Sequence, residues 1–264
     1  MNKFAVIGNP IEHSLSPVIW QAFAKSLNIQ LDYQKILATP ESFVQDVQDF
    51  FAAGGAAMNV TAPFKSMAYQ LANEQTVHTL DCKTGNFLVK QPQGIQLNNT
   101  DGLGLIADIQ RNQISLHNKR ILFIGNGSVI HSVLSAIEHE RPLCIDMLMR
   151  NYANIIDFKL RSHLVGEFKP SVSYDVVINT TPNSATNSLF SQIKLLANEV
   201  LVYDMIYTQP KTLFMQEMLK INSGALAING IGMLIQQAKI AFIQIYNQQP
   251  VVDELYALFK ELYK

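Results

Sequence analysis

Short apolar segments alternate with segments of helical spacing along almost the whole chain of 264 residues. Phe4–Ile7 is an apolar run that ends at Gly8, and Ile121–Ile124 is another that ends in Gly125-Asn126-Gly127. Strands that alternate with helices are typical of a parallel sheet, because the connection between two parallel strands is usually a helix. The sequence therefore predicts an α/β fold.

The alternation falls into two blocks that meet near residues 102–104. In the first block the pattern predicts parallel strands and then an antiparallel hairpin, with strands at 4–7, 31–37, 56–60, 86–90 and 95–98. In the second block it predicts a doubly wound parallel sheet, with strands at 121–124, 144–149, 175–178, 201–203 and 225–228. The tail has two predicted helices with no strand between them, at 232–246 and 251–263.

Composition narrows the classes of function. Charged residues make up 16% of the chain, hydrophobic residues 48%, and the formal net charge is -1, which is typical of a compact and well-buried protein. The absence of a basic run argues against a nucleic-acid partner. Cys82 and Cys144 lie far apart and no apolar signal segment is evident, so a cytoplasmic location is expected. No apolar run approaches the roughly 20 residues that span a bilayer, and neither a membrane partner nor a metal site is predicted.

Residues 59–65 are predicted to form the end of a buried strand, a tight loop and the first turn of a helix. Pro63 suits the first helical position, where a missing N–H has no cost, and this places Lys65 in the first turn. The helix dipole disfavours a cation there, which eases loss of the ammonium proton and suits a group that exchanges protons near neutral pH. The alternative interpretation is a solvated surface lysine.

Another helix is predicted to begin at Ser16-Pro17, with Ser16 as its cap, and to end near Leu27.

The apolar strand before Gly125-Asn126-Gly127, followed by a helix, predicts a site for the pyrophosphate of a dinucleotide. The third glycine of the usual pattern is absent, since Ile130 occupies its place, and a plain strand–helix turn is the alternative. Arg150 follows the next predicted strand, where an arginine suits the 2′-phosphate of NADP. Asp146, earlier in that strand, is interpreted as structural, and the alternative for Arg150 is a solvated residue at a helix start.

Five separated segments resemble shikimate dehydrogenases in order and spacing over nearly the whole chain. They are Gly-Asn-Pro-Ile-Glu-His-Ser-Leu-Ser-Pro at 8–17, Asn-Val-Thr-Ala-Pro-Phe-Lys at 59–65, Asn-Asn-Thr-Asp-Gly at 98–102, Tyr-Asp-Met-Ile-Tyr at 203–207, and Gly-Ile-Gly-Met-Leu at 230–234 with Gln237. The resemblance implies an enzyme of aromatic amino-acid biosynthesis that reduces 3-dehydroshikimate to shikimate with NADPH. It also implies two domains: a substrate domain of residues 1–102 plus 230–264, and a Rossmann-type NADP-binding domain of residues 103–229.

Residue roles follow from the positions that match the family. The resemblance implies a catalytic pair, Lys65 and Asp101. It implies substrate contacts from Ser14, Ser16, Asn59, Thr61, Asn86, Tyr207 and Gln237. It implies cofactor contacts from Gly125, Asn126, Gly127, Ser128, Val129, Arg150, Thr180, Met205, Gly230 and Met233. Simple capping is the alternative for the two serines, and ordinary core packing is the alternative for the two methionines.

The chain departs from the family mainly in the cofactor half. Ser128 stands where the family has a glycine, and Asn154 replaces a second basic residue after Arg150. We therefore expect an NADP preference that is softer than usual. The alternatives are a quinate/shikimate dehydrogenase that uses NAD and a substrate-binding homologue that has lost catalysis. Ser16, in place of a threonine often found in quinate-using members, favours shikimate. Either a monomer or a homodimer is compatible with the sequence.

Overall fold

The computed structural model describes residues 2–153, 155–181 and 187–262. Its strands are β1 (Asn2–Gly8), β2 (Leu31–Leu37), β3 (Gly55–Val60), β4 (Glu74–Gln75), β5 (Phe87–Gln91), β6 (Gly94–Asn98), β7 (Arg120–Ile124), β8 (Cys144–Leu148), β9 (Val165–Glu167), β10 (Tyr174–Asn179), β11 (Leu196–Asp204) and β12 (Leu226–Asn229). Its helices are α1 (Ser16–Ser26), α2 (Phe43–Ala52), α3 (Lys65–Leu71), α4 (Val77–Leu80), α5 (Asp101–Arg111), α6 (Ser128–His139), α7 (Ile155–Arg161), α8 (Asn187–Phe190), α9 (Leu213–Ile221), α10 (Ile231–Tyr246) and α11 (Asp253–Leu262). The predicted α/β class is confirmed.

The chain divides into two compact units, each with its own sheet. The first unit comprises Met1–Gly104 with Leu234–Leu258, and the second comprises Leu105–Met233 with Phe259–Lys264. Both units are built from segments that are distant in the sequence.

The sheet of the first unit has the strand order β2-β1-β3-β5-β6-β4. β1 pairs in parallel with β2 and β3, whereas β5 pairs antiparallel with β3 and β6. One face of β1 packs Ala5 and Ile7 against the apolar side of α2, and Phe4 lies 4.9 Å from the ring of Trp20. The carboxyl ends of β1 and β3 lie at one edge of the sheet, because parallel neighbours run in the same direction.

The sheet of the second unit is entirely parallel, in the order β12-β11-β10-β7-β8-β9. Its central strand β7 is buried on both faces. Ile121 and Phe123 pack in one apolar cluster, and Leu122 and Ile124 pack in another. This explains why β7 is a continuous apolar run without polar alternation.

Some local predictions are wrong at helix starts. Helix α1 begins at Ser16 itself, its N-cap is Leu15, and no side chain caps it, so Ser16 is not the predicted cap. Helix α3 begins at Lys65, so Pro63 precedes the helix and is not its first residue. The Ala62–Pro63 peptide bond is cis. Among the described residues, no helix is both long and apolar enough to cross a membrane.

Candidate active site

Lys65 and Asp101 form an ion pair in the first unit. The Lys65 Nζ lies 2.6 Å from the Asp101 Oδ2, and the two side chains are only 15% and 8% exposed. The backbone carbonyl of Lys65 accepts from the Gly85 N–H at 3.1 Å, and the Asp101 N–H donates to the Asn99 Oδ1 at 3.1 Å. Both helix starts are therefore fixed, and Lys65 is not a freely solvated lysine.

The second carboxylate oxygen of Asp101 is held by a buried amide. The Asn86 Nδ2 donates to the Asp101 Oδ1 at 2.8 Å, and the Asn86 Oδ1 accepts from the Thr100 N–H at 2.8 Å. The Gln237 Oε1 accepts from the Asn86 Nδ2 at 3.2 Å, while the Gln237 Nε2 donates to the Leu234 carbonyl at 2.9 Å. Each amide has a defined orientation because the same network fixes its donor and acceptor ends.

A second polar cluster joins Tyr33, Asn59 and Ser16. The Tyr33 hydroxyl donates to the Asn59 Oδ1 at 2.7 Å. Burial raises the pKa of Tyr33 well above its ordinary value, and a hydrogen bond with Ser16 opposes this rise only in part. The phenol is therefore protonated at neutral pH and serves as a donor. The Ser16 N–H donates to the Ser14 Oγ at 3.4 Å, which brings the two predicted serines together.

Tyr33 is absent from the residues that the sequence predicts. It lies in strand β2, and its ring packs 5.5 Å from that of Trp20. An aromatic residue in a strand is usually a core residue. Its contact with Asn59 depends on the pairing of β1 with both β2 and β3, which no local pattern reveals.

The loops after β1 and β3 are packed against each other. A Cβ added at Gly8 would lie 2.3 Å from the Thr61 Cγ2, so only glycine allows this approach. The Thr61 N–H donates to the Ile7 carbonyl at 3.0 Å, and the Asn9 N–H donates to the Ala62 carbonyl at 3.1 Å. The segments that carry the predicted serines and Thr61 therefore leave the same edge of the sheet.

All but one of the predicted catalytic and substrate residues belong to the first unit, namely Ser14, Ser16, Asn59, Thr61, Lys65, Asn86, Asp101 and Gln237. Within that unit the structure joins Lys65, Asp101, Asn86 and Gln237 in one hydrogen-bonded network. Tyr207 belongs to the second unit, where it follows β11.

The Gly125-Asn126-Gly127 turn follows β7 in the second unit. Gly125 has φ +98, and a Cβ there would lie 2.3 Å from the Thr181 Cγ2 and 2.9 Å from the Thr180 Oγ1. Gly127 is the N-cap of α6, and no side chain caps that helix. Its first N–H groups therefore have no side-chain cap and can bind an anion. The turn fits the pyrophosphate of a dinucleotide; the side chain of Ser128 lies outside the described residues.

The remaining cofactor candidates surround this turn or lie near the ends of other strands. Arg150 is exposed just after β8, and Asn126 is exposed within the turn.

A Cβ at Gly230 would lie 2.3 Å from the Met205 carbonyl oxygen, so glycine allows close packing there. Met233 is a buried member of the core cluster, as the packing alternative expects. Val129 packs against the same cluster, and the Thr180 Oγ1 donates to the Ile124 carbonyl at 2.8 Å.

Asp146 is buried in β8, away from the turn in sequence. It accepts a hydrogen bond from the Tyr174 hydroxyl at 2.8 Å, and the Lys169 Nζ lies 3.6 Å from its other oxygen. These contacts agree with its interpretation as a structural residue. Asn154, the predicted replacement of a basic residue, lies outside the described residues.

Comparisons with known proteins agree with one another. A family model described as the shikimate dehydrogenase substrate binding domain matches residues 6–88. The chain is 35% identical over 264 residues to an NADP(+) shikimate dehydrogenase from Legionella pneumophila, covering 97% of each chain. It is also similar to the crystal structure of an Ael1 enzyme from Pseudomonas putida, with 28% identity, a TM-score of 0.87, and coverage of 100% of this chain and 99% of that one. A structure of a shikimate 5-dehydrogenase from Thermus thermophilus in complex with NADP(H) and shikimate has a TM-score of 0.88 at 20% identity, covering 99% of each chain.

Proposed function

Because the chain belongs to the shikimate dehydrogenase family, we propose that it catalyses the reversible reduction of 3-dehydroshikimate to shikimate with NADPH. This reaction serves aromatic amino-acid biosynthesis. The single observation that carries the proposal is the shielded ion pair of Lys65 and Asp101, whose Nζ–Oδ2 distance is 2.6 Å. An ammonium group held in this way can donate a proton to an oxygen atom that gains negative charge.

The proton step uses the chain's own residues. NADPH, when bound, supplies the hydride that reduces the carbonyl carbon. Lys65 donates a proton from its Nζ to the carbonyl oxygen as that oxygen becomes a hydroxyl, and it accepts the proton back during shikimate oxidation. Asp101 directs the ammonium, and Asn86 fixes Asp101 through its other oxygen. The exposed part of Lys65 allows water to restore its proton after reduction.

The other polar residues of the first unit supply the substrate contacts. Ser14 and Ser16 lie beside the start of α1, where hydroxyls and backbone N–H groups suit the substrate carboxylate. Asn59, Thr61, Asn86 and Gln237 are hydrogen-bonding partners for the hydroxyls of the ring. Tyr207, which belongs to the second unit, stays a predicted substrate contact. We place the other contacts, those of Ser14, Ser16, Asn59, Thr61, Asn86 and Gln237, in a substrate domain of residues 1–102 plus 230–264.

Most of the cofactor contacts are placed in the NADP-binding domain of residues 103–229. Gly125, Asn126, Gly127 and the start of α6, with Ser128 and Val129, would hold the pyrophosphate. Arg150 would pair with the 2′-phosphate of NADP, as its charge and exposure allow. The residues that would hold the nicotinamide end are Thr180, Met205, Gly230 and Met233.

One assay tests the function against its alternatives. Shikimate and quinate are each oxidised with NADP and with NAD, and the absorbance of the reduced nicotinamide is followed. Rapid turnover of shikimate with NADP supports the proposal. Preferred turnover of quinate with NAD would favour the broader dehydrogenase, and no turnover with any pair would indicate a binding homologue. The oligomeric state, a monomer or a homodimer, stays a prediction that size-exclusion chromatography can test. The cytoplasmic location stays a prediction that cell fractionation can test.

Replacing Tyr33 with phenylalanine should weaken shikimate binding and leave the fold intact. The ring contact with Trp20 is kept, but the Asn59 Oδ1 loses its donor, so the amide is free to rotate. We expect the KM for shikimate to rise about fivefold, as for the loss of one buried hydrogen bond, with a smaller change in kcat. Tyr246→Phe is the matched control, because its ring packs against Phe4 in the same aromatic cluster. Equal KM values for Tyr33→Phe and wild type would contradict the role of Tyr33.

Replacing Gly125 with alanine should damage the cofactor turn. A residue with a side chain at this positive φ destabilises the folded state by on the order of 1–3 kcal/mol. The new Cβ would also clash with Thr181. We expect the Kd for NADPH to rise at least about tenfold, together with a lower Tm. Gly224→Ala is the control, because Gly224 is exposed and its Cβ would meet only Asn222, at an ordinary contact distance. An unchanged Kd in Gly125→Ala would exclude this turn as the pyrophosphate site.

A further inference from the structure

Asp204, the last residue of β11, is fully buried and lies in the second unit. Its Oδ1 accepts from the Asn179 Nδ2 at 2.9 Å and from the Ile206 N–H at 3.1 Å. Its Oδ2 accepts from the Thr212 Oγ1 at 2.5 Å. Burial raises the pKa of Asp204, and these three hydrogen bonds oppose the rise. A buried carboxylate persists only when donors surround it in this way.

Through Asn179, the Oδ1 of Asp204 controls the segment that follows β10. The Asn179 Oδ1 accepts from the Thr181 N–H at 3.1 Å and from the Thr181 Oγ1 at 2.7 Å. The Thr181 Cγ2 is the first atom that a Cβ added at Gly125 would meet, at 2.3 Å. The orientation of the Asn179 amide therefore determines how the 179–181 segment packs on the glycine turn.

The same Oδ1 also holds the segment that follows β11. Ile206 donates its N–H to Asp204, and its carbonyl accepts from the Gly230 N–H at 3.0 Å. The Met205 N–H donates to the Asn179 carbonyl at 3.0 Å, which joins the two segments directly. The Oδ1 of Asp204 and this backbone hydrogen bond together link residues 179–181 to Met205 and Ile206.

The Oδ2 of Asp204 has a different role. Thr212, its donor, is the N-cap of α9 and accepts from the Met215 N–H at 3.3 Å. This contact stabilises the start of a helix and involves neither the 179–181 nor the 205–207 segment. The Oδ1 of Asp204 therefore has a positioning role, whereas its Oδ2 has a purely structural one.

We propose that Asp204 is a positioning residue for the cofactor: its Oδ1 holds the segments that carry Thr180, Met205 and Tyr207 in the arrangement that NADPH requires. The inference rests on the proposed function, since those three residues are cofactor and substrate candidates in it. Asp204 has no exposed surface and acts only through Asn179 and the Ile206 backbone.

The experiment titrates NADPH into wild type, Asp204→Ala, Asp204→Asn and Thr212→Val, following the fluorescence of the reduced nicotinamide. Asp204→Ala removes both roles, and we expect its Kd to rise about tenfold. Asp204→Asn can direct its carbonyl oxygen to Asn179 and its NH₂ to Thr212, so its Kd should stay within about threefold of wild type. Thr212→Val removes the Oδ2 contact and the side-chain cap of α9 but keeps both Oδ1 contacts, so it should lower the Tm while leaving the Kd unchanged.

Hydrogen–deuterium exchange without cofactor provides an independent measurement. The amides of Thr181 and Ile206 should exchange faster in Asp204→Ala than in Thr212→Val. If Asp204→Ala does not fold, Asn179→Ala replaces it, because that variant removes the Asn179 donor to Oδ1, keeps the Thr212 contact and should also weaken NADPH binding. Equal Kd values for the Oδ1-side variants and Thr212→Val would overturn the inference. Failure of wild type to bind NADPH would instead overturn the proposed function.

Discussion

Replacing Lys65 with alanine is expected to lower kcat for shikimate oxidation by about 10³, the usual contribution of a general acid or base. The KM for shikimate should change only a few-fold, because the hydroxyl and amide contacts with the ring remain. The ammonium lies 2.6 Å from the Asp101 carboxylate and is largely shielded from water. Within the described parts of the chain, Lys65 is the lysine that pairs with Asp101, so its loss leaves the carboxylate without an ammonium partner.

Lys65→Arg separates proton transfer from charge alone. Arginine keeps a positive charge beside Asp101 but is effectively always protonated, so it cannot accept a proton during oxidation. We expect its kcat to fall nearly as far as that of the alanine variant. Lys90→Ala is the control, because Lys90 lies in the same unit and donates to the Phe51 carbonyl at 2.8 Å. Near-normal turnover in Lys65→Ala would exclude Lys65 as the proton donor.

The sequence predicts the fold well where the local pattern and the tertiary structure impose the same requirement. Strand β7 is apolar from Ile121 to Ile124 because both of its faces are buried, and Gly125 is glycine because its φ is positive and Thr181 lies close. The short elements β4, α4 and β9 are not predicted. Each has only two to four residues. Such a segment is too short to show the periodic spacing of apolar residues by which a helix or a strand is predicted.

The site is less predictable because its contacts join distant parts of the chain. Asn86 contacts Gln237, which lies 151 residues away in the sequence. Tyr33 contacts Asn59 because β1 pairs with both β2 and β3. Asp204 lies within a predicted family segment, yet its role depends on Asn179, a residue of the neighbouring strand. The resemblance to the family supplied roles for Lys65 and Asn86, whereas the supporting contacts of Tyr33 and Asp204 become evident only when the strands are paired.

Replacing Asp101 with asparagine is expected to lower kcat by about 10² and to leave the fold intact. Both oxygens of Asp101 face donors: Oδ2 faces the Lys65 ammonium at 2.6 Å, and Oδ1 faces the Asn86 NH₂ at 2.8 Å. An asparagine offers one oxygen and one NH₂, so one donor must meet another donor in either orientation. The ammonium is then misdirected, and proton transfer slows.

The kinetics of Asp101→Asn can be separated from a loss of stability. Circular dichroism and thermal unfolding establish that the variant is folded, and Asp81→Asn, which changes an exposed aspartate in the same unit, is the matched control. A further variant, Asn86→Ala, removes the donor to Oδ1 but keeps the Lys65–Asp101 contact, so its kcat should fall less than that of Asp101→Asn. If Asp101→Asn retains turnover within about threefold of wild type, the carboxylate does not direct the proton donor, and the pair with Lys65 is structural.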